Sequence, residues 1–180
     1  FKPDIIHCND WHTALVPVYL NTIYKNDPFF ANTKTLFTIH NLAYQGLFPK
    51  EEYPKLGLDW SLFDINHMEF YDKVSLMKGG IVYADAISTV SPTYAKEILS
   101  HEYGCGLEGV LATRQDSLYG IINGIDNDAW DPSTDEKIFK KYSAETIEEK
   151  YANKEAFQKE LKLKPDPSTP MIGMIVRLAD

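Results

Sequence analysis

Several side chains able to donate, accept or carry charge close the short apolar runs of this chain. His7, Asn9, Asp10 and His12 lie in "HCNDWH", His40 and Asn41 in "FTIHN", Ser91 after "AISTV", Asn123 in "IINGID" and Arg177 in "VRL". Histidine and asparagine both donate and accept, aspartate accepts strongly, and arginine offers a planar fork for phosphate or carboxylate. Such a set suits a ligand with many hydroxyls and one anionic group, as in a sugar joined to a phosphate. His7, His12 and His40 share no helix face or short spacing and no cysteine joins them, so zinc is not expected. "GCGLEG" lacks the Lys-Ser/Thr that would follow a phosphate cradle. "DND" at Asp126 to Asp128 follows Asn-Gly, which marks a turn before it marks a manganese site.

The elements that must hold these residues are strands alternating with helices. Asp4 to His7, Thr35 to His40, Ala86 to Val90, Leu118 to Ile122 and Met171 to Val176 are nearly continuous in aliphatic and aromatic residues, as buried parallel strands are. Helical patterns between them imply βαβ units in a doubly wound parallel α/β sheet of Rossmann-like type. In such sheets ligands bind beyond the carboxyl ends of the strands, where the polar residues cluster. Ser91 is expected to cap a helix with Pro92 at its first position. Asp10 is expected to cap a helix kinked by Pro17, and a charged helix is expected to start near Ser143, with Ile147, Tyr151, Phe157 and Leu161 on one face. Three prolines in "KPDPSTP" place a domain boundary near Pro165 to Pro170.

With 180 residues, 44% of them apolar, the chain can bury a sizeable core. Its formal net charge of -8, with the 18 basic residues dispersed among acids, argues against nucleic acid as a partner. Cys8 and Cys105 are far apart, which suits a reducing interior, cytoplasmic or stromal. No apolar run approaches the roughly 20 residues needed to cross a bilayer, so no membrane partner is expected. A start at Phe1 and an end just after an apolar run suggest an excerpt of a longer polypeptide.

The segments "HCNDWH", "TIHNLAYQG", "AISTVSPTYAKEI", "YGCGLEGVL", "IINGID" with "WDPSTD", and "VRL" occur in an order that resembles glycosyltransferase family 5, the bacterial glycogen synthases and plant starch synthases. The resemblance runs from end to end of the chain. It implies a GT-B enzyme of two Rossmann-like domains, with ADP-glucose and an α-1,4-glucan as partners and no cofactor or metal. Residues 1–142 would then be the later part of the first domain, 143–170 a helix and linker, and 171–180 the first strand of the second. By the same resemblance, His40 contacts the donor glucose at its 6-hydroxyl, and its backbone carbonyl lies near the anomeric carbon. Asp10 faces the donor and acceptor region, Trp11 and His12 line that pocket, and Asn41 and Tyr44 shape the acceptor side. Asn123 bonds donor hydroxyls and Arg177 binds the donor phosphates. Asn9 stands where many relatives have histidine and receives no role, and His7 is assigned to structural support.

The activity implied is retaining transfer of glucose from ADP-glucose to the non-reducing 4-hydroxyl of a glucan, by the full-length protein and in a bacterial cytoplasm, with plastid stroma as the alternative. The phosphate lysine and the later glutamate of the family fall after Asp180, so the excerpt alone is expected to be inactive. A non-catalytic glucan-binding module, or a related GT-B sucrose or UDP-sugar transferase, is the rival reading. A glycoside hydrolase is weaker, because hydrolysis needs two carboxylates at matched separation and only Asp10 is evident.

Overall fold

The computed structural model describes residues 1–176; Arg177 lies outside the described residues. Two compact units are present, Phe1–Asn123 and Gly124–Asp180. In the first, β1 (Ile5–Asn9) leads into α1 (Asp10–Thr13) and α2 (Leu15–Asn21), and β2 (Lys34–Ile39) follows. Three short strands come next, β3 (Leu47–Pro49), β4 (Glu69–Phe70) and β5 (Lys73–Ser75), then α3 (Leu76–Tyr83). The unit closes with β6 (Ala86–Thr89), α4 (Pro92–Glu97), α5 (Glu108–Ala112) and β7 (Leu118–Gly120).

The main sheet has the order β1-β2-β6-β7, parallel throughout. The first four runs read from the sequence are these strands, with ends shifted by a few residues. One sheet face carries Cys8, Phe37, Ile39 and Ile87, all essentially inaccessible to solvent. It is pressed by α3, where a Cβ on Gly80 would stand 2.6 Å from Phe37 Cζ, and one on Gly79 would stand 3.0 Å from Val18 of α2. That close approach explains two adjacent glycines inside a helix, each of which lowers helix propensity by about 1 kcal/mol. The opposite face carries a polar row across three strands: His7 Nε2 meets Thr38 Oγ1 at 2.7 Å, which meets Ser88 Oγ at 2.6 Å. His7 thus serves the sheet, as expected.

The second sheet, β3-β5-β4, is antiparallel and was not legible in the sequence, since strands of two or three residues carry no period. Phe70 pairs with Lys73, so Tyr71 and Asp72 alone make the β4–β5 turn, with φ of 50° and 60°. Positive φ at both central residues defines a type I′ turn.

Local capping chemistry sets the helix ends. Ser91 Oγ accepts from Thr93 N at 3.1 Å and Tyr94 N at 3.3 Å, with Pro92 opening α4, as the sequence predicts. Ser91→Ala should cost about 1 kcal/mol of unfolding free energy in urea titrations, while Ser91→Asp or Ser91→Asn should keep most of it. The carboxyl end of α3 is capped from outside: Arg114 donates to the carbonyls of Ile81 at 2.8 Å, Val82 at 2.7 Å and Ala84 at 2.6 Å.

Three expectations are corrected. Pro17 does not kink a continuous helix but breaks it, with α1 ending at Thr13 and α2 starting at Leu15. A proline ring crowds the carbonyl four residues earlier, here that of Thr13, and removes its donor. The charged helix of the second unit, α6 (Lys150–Glu160), starts later than Ser143, after a short 3₁₀ turn at Ile147–Glu149. Residues 171–176 form no strand; Ile172, Met174 and Ile175 are exposed, and among the described residues no neighbouring strand supplies the hydrogen bonds a strand needs.

Candidate functional site

The carboxyl ends of β1 and β2 meet through three side chains. Asp10, expected as a helix cap, is not one: the residue before α1 is Asn9, whose side chain makes no capping bond. Asp10 instead adopts φ 54° and turns its carboxylate across to β2, where Oδ1 accepts from the backbone N–H of His40 at 2.8 Å. Aspartate tolerates this left-handed backbone better than most residues. Thr13 fixes the turn, since its Oγ1 accepts from Asn9 N at 2.6 Å and donates to Asn9 O at 2.8 Å.

His40 Nε2 lies 2.9 Å from Asn9 Oδ1. An amide oxygen only accepts, so Nε2 carries the proton and Nδ1 is left as an acceptor for a hydroxyl. Asn9, given no role from the sequence, therefore sets the tautomer of His40. Its place at the end of β1, beside the strand that leads into His40, was the available signal. The imidazole itself is exposed, and so are the side chains of His12, Asn41 and Tyr44.

Trp11 is seated by glycine. A Cβ on Gly46 would fall 2.5 Å from Trp11 Cε3, and Gly46 has φ 59°, so both space and backbone require glycine there. The indole stacks on His12 with ring centroids 4.0 Å apart and meets Phe48 edge-on at 5.9 Å. The loop after His40 is closed by Asn41 Oδ1, which accepts from Ala43 N at 3.0 Å, and by Tyr94 OH, which accepts from Leu42 N at 3.1 Å. Tyr44 projects from this loop with 62% of its surface exposed.

The structure thus joins Asn9, Asp10 and His40 by hydrogen bonds and sets Trp11 and His12 on the same turn. Asn41 and Tyr44 lie on the adjoining loop. Asn123 stands apart, exposed, beyond β7. β7 is two strand positions from β2, roughly 10 Å at the usual spacing. Cys8, just before Asn9, is buried, and burial pushes its thiol pKa up, so it packs rather than reacts. Asp126 Oδ1 accepts from Asp128 N at 3.1 Å and Ala129 N at 3.0 Å, so the "DND" carboxylate closes a turn.

Two substitutions separate the roles of Asp10. Asp10→Ala removes the acceptor for His40 N–H and leaves a left-handed alanine, a loss of about 2 kcal/mol in chemical denaturation. Asp10→Asn keeps an acceptor oxygen and tolerates the backbone, so it should lose less than half as much.

Residues 1–113 match the family model described as the starch synthase catalytic domain. The chain is 53% identical over 180 residues to glycogen synthase 2 of Geobacter sulfurreducens, covering all of this chain and 37% of that protein. To glycogen synthase of Thermosipho melanesiensis it is 54% identical over 177 residues, covering 98% of this chain and 37% of that one. Among solved structures, the catalytic domain of starch synthase IV from Arabidopsis thaliana, bound to ADP and acarbose, superposes with a TM-score of 0.82 at 38% identity, over 91% of this chain and 34% of that one. The chain spans little more than a third of the length of the curated relatives it matches. With that match, and with a parallel Rossmann-like sheet carrying its polar residues at the strand ends, the chain belongs to the starch synthase catalytic domain family of GT-B glycosyltransferases.

Proposed function

We propose that the full-length protein transfers glucose from ADP-glucose to the 4-hydroxyl at the non-reducing end of an α-1,4-glucan, with retention at the anomeric carbon. The observation that carries this reading is the Asn9–Asp10–His40 cluster, which fixes the end of β2 and leaves one imidazole nitrogen as an acceptor. The relatives' names, and the ADP and acarbose bound to the Arabidopsis structure, support the choice of donor and acceptor.

In this reading His40 Nδ1 accepts from the 6-hydroxyl of the donor glucose. The bond from the anomeric carbon to the ADP phosphate breaks, the bond to the acceptor oxygen forms, and the acceptor proton leaves with ADP. Positive charge grows on the sugar in between, and the His40 backbone carbonyl is a fixed dipole for it. Asp10 holds that backbone through its bond to His40 N–H. Asn123 bonds donor hydroxyls, Arg177 neutralises the departing phosphates, and Asn41, Tyr44, Trp11 and His12 form the acceptor side. Residues 1–142 belong to the first Rossmann-like domain, 143–170 link, and 171–180 open the nucleotide-binding domain. A cytoplasmic setting accords with free cysteines and with the absence, among the described residues, of a helix long and apolar enough to cross a membrane.

The test is incubation of the full-length protein with maltoheptaose and radiolabelled ADP-glucose or UDP-glucose. Label from ADP-glucose should enter the oligosaccharide and be released as maltose by an exo-acting α-1,4-glucanase working from the non-reducing end. Preference for UDP-glucose would overturn the donor, and binding without incorporation would reduce the protein to a glucan-binding module.

A further inference from the structure

A cavity of about 440 Å³ lies under the β4–β5 turn, lined in part by Phe70, Tyr71, Lys78, Gly106 and Gly109. Cavities that hold small ligands start at about 300 Å³. Lys78 is only 3% exposed, yet its two bonds go to neutral groups, the carbonyls of Ile65 and Glu69, each at 2.6 Å. An ammonium has three donors, so one N–H is unused among the described residues. A buried ammonium that donates only to carbonyls is an uncommon arrangement, since buried charges are ordinarily paired.

The turn above it is equally unusual. A type I′ turn favours Asn-Gly, because both central residues need positive φ. Here Tyr71 occupies the first position at φ 50°, with 79% of its surface in solvent. Tyrosine neither suits that backbone nor is buried there, so the folded state gains little from it. Its ring meets Phe70 edge-on at 4.7 Å, which makes an aromatic corner at the cavity. Gly106, at φ 81°, leaves room for Phe70, whose Cζ would be 2.9 Å from a Cβ; a Cβ on Gly109 would meet nothing within 4 Å.

We propose that this cavity is a second binding site for a glucosyl unit of an α-glucan chain, with the sugar against Tyr71 and a hydroxyl oxygen accepting from Lys78 Nζ. The choice of glucan rests on the function proposed above. A sugar fits because it offers apolar C–H faces to the aromatic corner, acceptors to Lys78, and donors to the Glu69 carboxylate, of which Oε1 already accepts from Asp72 N at 2.7 Å. A simple anion fits less well, because the acidic residue Glu69 lines the same cavity. The cavity is also tied to the acceptor loop: Gln45, between Tyr44 and Gly46, donates from Nε2 to the carbonyl of Cys105, next to Gly106, at 2.8 Å. A glucan chain held in the cavity would be retained close to the loop that shapes the acceptor side.

Hydrogen exchange on the full-length protein with maltoheptaose tests this. Protection is expected over residues 65–71 and 106–110 as well as over 40–46. In the double variant Tyr71→Asn, Asp72→Gly, the turn takes its preferred residues, so Tm should hold or rise while maltoheptaose binding at 65–71 weakens about fivefold. Gly109→Phe should fill the cavity and remove that protection too, leaving 40–46 protected. Protection confined to 40–46 in the unmodified protein overturns the second site and leaves the proposed function standing. Equal protection by inorganic phosphate, or protection at 65–71 that survives both variants, also overturns it. Protection at neither segment overturns the glucan reading itself.

Discussion

His40→Ala in the full-length protein is expected to lower kcat for glucosyl transfer about a hundred- to a thousand-fold, the range seen when one preorganised polar contact to a transition state is removed. The fold should be indifferent, because the imidazole is exposed and, among the described residues, its one hydrogen bond is to the exposed Asn9 side chain. The backbone N–H of residue 40 still donates to Asp10, so the strand end and its carbonyl dipole stay in place. The loss is therefore assigned to the missing ring, and KM for the glucan acceptor should move little. Asn9→Ala is the companion variant: it frees the tautomer of His40 without removing it, so its loss in kcat should be smaller and in the same direction. Steady-state kinetics with thermal denaturation on both variants checks this. An equal fall in Tm and kcat would reassign His40 to the fold.

Gly120→Ala is expected to produce the largest loss of stability of any single methyl addition considered, about 3 kcal/mol or more. The added Cβ would stand 2.3 Å from Pro92 Cα, 2.4 Å from Ser91 O and 2.5 Å from Pro92 N. All three are backbone atoms, and no side chain can rotate away. Overpacking in a core that adjusts through side chains usually costs about 1–3 kcal/mol, and here α4 itself must shift. That shift would disturb Ser91 at the end of β6 and, through the β6–β7 ladder, the segment leading to Asn123. Gly109→Ala is the control. It adds the same methyl to helix α5 with nothing within 4 Å, and should stabilise by about 0.5–1 kcal/mol. Urea unfolding of the two variants should move in opposite directions; movement in the same direction would show that the contact of Gly120 with α4 is not what limits the position.

The main sheet was legible because its strands are aliphatic and end in polar residues at one edge. Ile39 to His40 and Cys8 to Asn9 show this abrupt change, and the candidate site was sought where that change occurs. What local sequence could not show was which polar atoms are used up by the protein itself. Asp10 looked like a helix cap because aspartate before a helical pattern usually is one, but its partner is a backbone N–H thirty residues later. Asn9 looked unimportant because its value depends on the residue that follows the neighbouring strand. The small antiparallel sheet was hidden for a different reason: "LFP", "EF" and "KVS" are too short for any period to show. The run at 171–176 has strand composition, but composition supplies no partner, and among the described residues none pairs with it.

The most direct measurement is a structure of the full-length protein with ADP-glucose and a maltooligosaccharide. The donor glucose is expected beyond the ends of β1 and β2, its 6-hydroxyl within hydrogen-bond distance of His40 Nδ1 and His40 Nε2 still on Asn9. A glucosyl group held elsewhere, with His40 Nδ1 facing only water, would contradict the account.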